Sequence, residues 1–236
     1  FVYIRFLLIP NGRFRGAIVE TESGMIVDAD CHISPLKEGG NITTDELLRR
    51  MDRSGVDRAL VWLTPPYKRE IDPSNEYVYK ATQSHPDRLL GFGWADPHLG
   101  VQKAKDTVRR CVEEYGFHGV KLNGAQNEYF VDDPDVSMPV AEEVARTGKL
   151  IAFHCGQDAF DRTHPFRIAR IARRFPEMKV LGVHMGGVGH PGMSGAVVEM
   201  AQECPNVYLV GSMVLHTAVL EAIRRLGADR VLFGSD

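Results

Sequence analysis

Eight short runs of apolar or β-branched residues recur along this chain at roughly thirty-residue steps, the spacing of βα units. They lie at 26–29, 59–63, 90–94, 119–122, 150–154, 179–184, 207–210 and 230–234. Between them stand longer segments with helical spacing, such as "TTDELLRRMDRSG", "VQKAKDTVRRCVEEYG", "PFRIARIARRFP" and "TAVLEAIRRLG". Thr43 or Thr44 supplies a helix start, and Gly55, Gly116, Gly148 and Gly227 supply stops. Eight such units predict a (β/α)8 TIM barrel rather than an open doubly wound sheet, and no G-x-G-x-x-G follows the first run. The eighth unit stops at "VLFGSD", so the expected barrel lacks its last helix.

No linker rich in Pro, Gly or Ser divides the repeats, which assigns residues 25–236 to one barrel domain. Residues 1–24 stand apart. Their opening "FVYIRFLLIP" is broken by Arg5 and lacks the basic leader and small-residue cleavage site of a signal peptide. Met25 directly precedes the regular pattern, so 1–24 is expected to be an extension outside the fold. The net charge of −3 gives no reason for binding nucleic acid or an anionic membrane. Cys31, Cys111, Cys155 and Cys204 show no C-x-x-C spacing, which suits reduced thiols in the cytoplasm better than disulfides or a zinc knuckle.

The chemistry-bearing residues fall at strand ends. In "VDADCHISP", Asp28, Asp30 and His32 alternate and are expected to share one strand face, with Cys31 on the other. Asp28 reads best as a turn or cap residue. His154 ends the fifth run, His184 the sixth, and Asp236 follows the eighth. A lone strand-end histidine is usually structural, but inward residues at the C-terminal strand ends of a barrel converge on one floor. Mixed imidazole and carboxylate donors suit Zn²⁺ and also admit Mn²⁺ or Fe²⁺. Trp94 and Asp96 after the third run, Arg162 and His164 in "GQDAFDRTH", and His190 in "GGVGHPGMSG" are loop candidates for substrate binding, Arg162 as a carboxylate clamp or simply a solvated side chain. The arginines of "RIARIARRF" read as a solvated helix face.

Together "IVDADCHISP", "GVKLN", "AFHCG", "HMGG" and "VLFGSD" resemble the amidohydrolase-related metal-dependent hydrolases and decarboxylases. The resemblance implies one divalent metal, Zn²⁺ before Mn²⁺, held by Asp30, His32, His154 and Asp236. It places His184 beside the reacting water and makes Asp236 and His184 the catalytic pair. Lys121 in "GVKLN" stands where some relatives carry a carboxylated lysine between two metals; the other reading is a buried cation paired with carboxylates, and one metal is preferred. Asp30 departs from the usual H-x-H pair, and an acidic residue there occurs in decarboxylase-like members.

The expected activity is therefore a metal-dependent hydrolase in which metal-activated water attacks the amide, ester or lactone carbonyl of a small organic substrate. Asp236 would move the proton and His184 stabilise the oxyanion. A metal-dependent decarboxylase is the alternative, and an inactive metal-binding barrel the third reading. The expected partner is a small molecule, with no nucleic acid and no membrane; self-association into a homo-oligomer stays open.

Overall fold

The structure, a computed structural model, describes residues 2–5, 18–21, 24–36, 40–64, 70–156, 158–187 and 190–236. Eight parallel strands carry the fold: β1 Val27–Ile33, β2 Arg58–Leu63, β3 in two pieces Leu89–Gly91 and Gly93–Trp94, β4 Gly119–Leu122, β5 Leu150–His154, β6 Val180–Val183, β7 Val207–Val210 and β8 Val231–Leu232. The first piece of β3 pairs with β2, which pairs with β1; the second piece pairs with β4, and the ladder continues through β5, β6 and β7 to β8. Phe92 between the two pieces donates its N–H to Val61 O at 2.9 Å. At the opposite seam Ala29 N–H donates to Phe233 O at 2.9 Å and Asp236 N–H to Asp30 O at 2.8 Å. The strands thus form the eight-stranded barrel that the repeat predicts.

Helices α1 Thr44–Ser54, α2 Ile71–Ser84, α3 Val101–Arg109, α4 Met138–Arg146, α5 Pro165–Arg174, α6 Pro191–Glu203 and α7 His216–Leu226 fill the connections. The α1 start is the expected one: Thr43 accepts a hydrogen bond from Glu46 N–H, and Gly55 ends the helix at φ 68°. Strands in a parallel barrel are covered on both faces, so they read as apolar runs; all of β4 and β6 is buried. Ala29, Trp62, Phe92, Ala152, Leu181, Val183 and Val210 fill the barrel interior. A larger apolar layer, including Cys31, Ile33, Leu47 and Met51, packs strands against helices.

β1 contains a bulge, since Asp28 pairs with Ala59 but Cys31 with Val61, three positions against two. The expected shared face of Asp28, Asp30 and His32 is corrected by it. Ala29 points into the barrel, Asp28 turns outward beside Cys31 and Ser235, and Asp30 and His32 recover the inner side. The Asp28 carboxylate accepts N–H bonds from Asp30 at 3.1 Å and Ser235 at 3.0 Å, tying β1 to the residues behind β8.

Within the predicted extension, strands Val2–Arg5 and Ile18–Thr21 pair antiparallel. Most of residues 1–24 lies outside the described residues. No helix among the described residues is long and apolar enough to cross a membrane.

Candidate metal centre

Side chains from five strands meet at the C-terminal mouth of the barrel. Asp30 and His32 come from β1 and His154 is the last residue of β5, while His184, Ser212 and Asp236 stand just beyond β6, β7 and β8. The "HMGG" turn leaves β6 sharply: His184 has φ 72° and Met185 φ 48°, left-handed conformations that non-glycine residues rarely adopt. Its neighbour is the loop behind β5, so close that a Cβ on Gly156 would lie 2.2 Å from Gly186 Cα. Glycine is required there for His154 and His184 to approach, and their ring centroids are 4.8 Å apart.

Asp30 is fully buried. Its Oδ2 accepts the Ser212 hydroxyl at 2.5 Å and lies 3.7 Å from His184 Nδ1. Oδ1 lies 3.7 Å from His32 Nε2 and 4.0 Å from Lys121 Nζ, with no hydrogen-bond partner. His32 Nδ1 donates to Leu63 O at 2.7 Å, because a carbonyl can only accept; Nε2 therefore carries the lone pair of the neutral ring. That nitrogen is 3.4 Å from Asp236 Oδ1 and receives the Trp62 indole N–H at 3.0 Å. His154 Nε2 is buried without a hydrogen bond, 3.6 Å from Asp158 Oδ2.

Electrostatics follow from burial and crowding. In its imidazolium form, the form that can donate from Nε2, His32 holds the Asp236 carboxyl down at about 2 in spite of partial burial. Desolvation drives His154 well below the ordinary imidazole value, helped by the positive potential of His184 and Lys121, and desolvation also lowers His184. Lys121 is 1% exposed and its ammonium lies 3.8 Å above the Trp62 ring. Desolvation lowers it to about 8 while the charges of Asp30 and Asp236 oppose the shift. This is the geometry of a buried cation among carboxylates.

A divalent cation fits this set. Asp30 Oδ1 and His154 Nε2 are buried polar atoms lacking partners, a situation native structures rarely leave uncompensated. Donor atoms of Asp30, His184 and Asp236 lie within 4.8 Å of one another, a cluster of metal-ligating type among the described residues. His32 and His154 border that cluster without belonging to it, His32 being engaged by Trp62. The surrounding cleft, about 610 Å³, is lined by His32, Lys121, Asn123, His154, His184 and Asp236 among others.

The remaining candidates lie elsewhere. Trp94 is fully buried, with its indole N–H on Asn127 Oδ1 at 2.9 Å, and packs beside His32 instead of lining the cleft. Asp96 is buried too, accepting from Asn127 Nδ2 at 3.0 Å. Arg162 sits half-buried on the short helix Phe160–Thr163, outside the cleft lining. His164 caps α5 by accepting Phe166 N–H at 3.2 Å and borders a separate outer groove. His190 precedes α6 and meets the Phe160 ring at 5.7 Å. Sequence reasoning passed over Ser212 and Trp62, although Ser212 follows the seventh run as His184 follows β6, and Trp62 has the inward parity of its strand.

Known proteins resemble this chain in sequence and in fold. The chain is 23% identical over 260 aligned residues to a gamma-resorcylate decarboxylase of Polaromonas sp. (strain JS666 / ATCC BAA-500), covering 81% of this chain and 76% of that one. A shorter match, 26% identical over 80 residues, takes in 34% of this chain and only 22% of a 2-amino-3-carboxymuconate-6-semialdehyde decarboxylase of Dictyostelium discoideum. Among solved structures, a manganese-containing 5-carboxyvanillate decarboxylase from Novosphingobium aromaticivorans DSM 12444 superposes with a TM-score of 0.71 at 16% identity, covering 90% of this chain and 86% of that chain. The amidohydrolase family profile matches residues 27–236, spanning every barrel strand and every residue of the cluster, and the chain belongs to that family.

Proposed function

We propose that this protein is a metal-dependent decarboxylase that releases CO₂ from a small hydroxylated aromatic acid. The observation that carries the reading is Asp30, a fully buried carboxylate in the donor set at the place where hydrolases of the family resemblance carry an imidazole. Sequence alone ranks carbonyl hydrolysis first; the decarboxylase relatives favour the alternative, and the chemistry agrees. Two carboxylates, Asp30 and Asp236, lower the charge at the centre and so weaken its acidification of bound water, the task that hydrolysis asks of the metal.

Asp30 and Asp236 of that cluster, with His32 and His154 at its border, would hold the metal, Zn²⁺ or Mn²⁺. When bound, it supplies positive charge to the substrate's carboxylate and hydroxyl oxygens. The remaining work falls to the chain. Asp236, the cluster residue whose side chain is 27% exposed to the cleft, is placed to accept the substrate hydroxyl proton and deliver it to the ring carbon bearing the carboxylate. The carbon–carboxylate bond then breaks, its electron pair returns to the ring and CO₂ leaves. Lys121 offsets the carboxylate charge from below, and His184 lines the cleft on the β6 side.

The test is incubation of metal-loaded protein with hydroxybenzoic acids while recording CO₂, beside panels of esters, lactones and amides. CO₂ release that disappears in Asp236→Asn is the expected result. Hydrolysis of any panel member without CO₂ release from the acids would overturn this reading in favour of the hydrolase.

A further inference from the structure

We propose that Ser212 is a positioning residue that fixes the tautomer and orientation of His184, so that the Nε2 lone pair of His184 faces the cleft. The inference follows from counting protons. A serine hydroxyl has one hydrogen to donate and lone pairs to accept with. Its bond to Asp30 Oδ2, 2.5 Å long, uses the hydrogen, because an ionised carboxylate only accepts. The same Oγ lies 3.0 Å from His184 Nδ1. Two lone pairs facing each other at that distance would repel, so Nδ1 carries the ring proton and donates it to Ser212.

Asp30, Ser212 and His184 are 0%, 1% and 7% exposed, so solvent does not compete for these bonds. The relay spans 182 residues from Asp30 to Ser212 and 28 from Ser212 to His184, joining β1 to the turns behind β7 and β6. It also braces His184 in its left-handed backbone conformation. Loss of the relay frees the ring to adopt the opposite tautomer or to rotate.

The catalytic consequence rests on the decarboxylase reading, whereas the tautomer does not. Protein with ¹⁵N-labelled histidine, metal-free and metal-loaded, is examined by long-range ¹H–¹⁵N correlation at a pH where His184 is neutral, with His184→Gln assigning the signal. The metal-free wild type is expected to show protonated Nδ1 and unprotonated Nε2. Ser212→Ala and Ser212→Cys, the second nearly isosteric, are expected to shift His184 towards the other tautomer or an average of both, while Ser212→Thr keeps the wild-type pattern. On a decarboxylated substrate, the two disruptive variants are expected to lower kcat about 10- to 100-fold with KM little changed. An Nε2-protonated His184 in the wild type, or an unchanged signal in Ser212→Ala or Ser212→Cys, overturns the proposal. Absence of CO₂ release from every acid tested overturns the functional reading and leaves the tautomer result standing.

Discussion

Trp62 aims its indole N–H at Nε2 of His32, 3.0 Å away, the nitrogen that the Nδ1 bond to Leu63 O leaves unprotonated. Trp62 is fully buried, so no water can take over this bond. A cation bound at His32 Nε2 must displace it and strand a buried donor, at a cost of about 1–3 kcal/mol.

Trp62→Phe removes the competing donor and keeps an aromatic ring beneath Lys121. Zn²⁺ or Mn²⁺ is expected to bind tighter, by roughly 5- to 30-fold if 1–2 kcal/mol is recovered. Titration calorimetry with a competing chelator reads this directly. Unchanged or weaker affinity would show that Trp62 does not oppose metal at His32.

His154→Ala and Asp30→Ala each remove a buried metal-ligating atom that makes no hydrogen bond. Both variants are expected to lose metal affinity by at least about 100-fold, close to 3 kcal/mol. Elemental analysis of purified protein checks the retained metal. Stoichiometric metal in His154→Ala would exclude that histidine from the ligand set.

The Asp132 side chain, 3% exposed, accepts 2.7 Å bonds from Arg167 and Arg170. Burial pushes its carboxyl up, but the two guanidinium hydrogen bonds outweigh that and hold it below the ordinary 3.8. A group whose folded pKa is depressed stabilises the fold fully above its unfolded value and loses that contribution as pH falls through the folded one. Asp132→Asn is therefore expected to lower stability by about 1–3 kcal/mol at neutral pH, towards the lower end because Arg170 is largely solvated. The difference should shrink as pH drops below 3.8. Urea denaturation at several pH values measures it, and a gap that widens in acid contradicts the assignment.

Gly156→Ala meets Gly186 Cα at 2.2 Å and has φ 105°, so it is expected to cost more than about 2 kcal/mol and to weaken metal binding by parting His154 from His184. Gly195→Ala on α6 meets nothing within 4 Å and is expected to raise stability by about 0.5–1 kcal/mol. Thermal melts of the two variants should move in opposite directions. A neutral Gly156→Ala would mean that the loops behind β5 and β6 can separate freely.

The eight-unit barrel and the five residues Asp30, His32, His154, His184 and Asp236 were legible in the sequence because both depend on local pattern. A strand covered on both faces must be apolar along its length, and a polar residue at its end stands out against that run. Which side chains touch is a different matter. The β1 bulge depends on the register with β2, and it turned Asp28 outward although its spacing from Asp30 suggests a common face. Trp94 ends a strand and Asp96 follows it, as active-site residues do, yet α2 and the short helix Gly124–Asn127 cover them, with Asn75 and Asn127 taking their polar atoms. Ser212 and Trp62 acquired their roles only when the barrel brought them against Asp30, His184 and His32. Hydrogen bonds between residues 28 to 182 positions apart leave no periodicity for a linear reading to detect; His32–Trp62 and His184–Ser212 need neighbouring strands to pair, and Asp30–Ser212 exists only once the seam between β1 and β8 has closed.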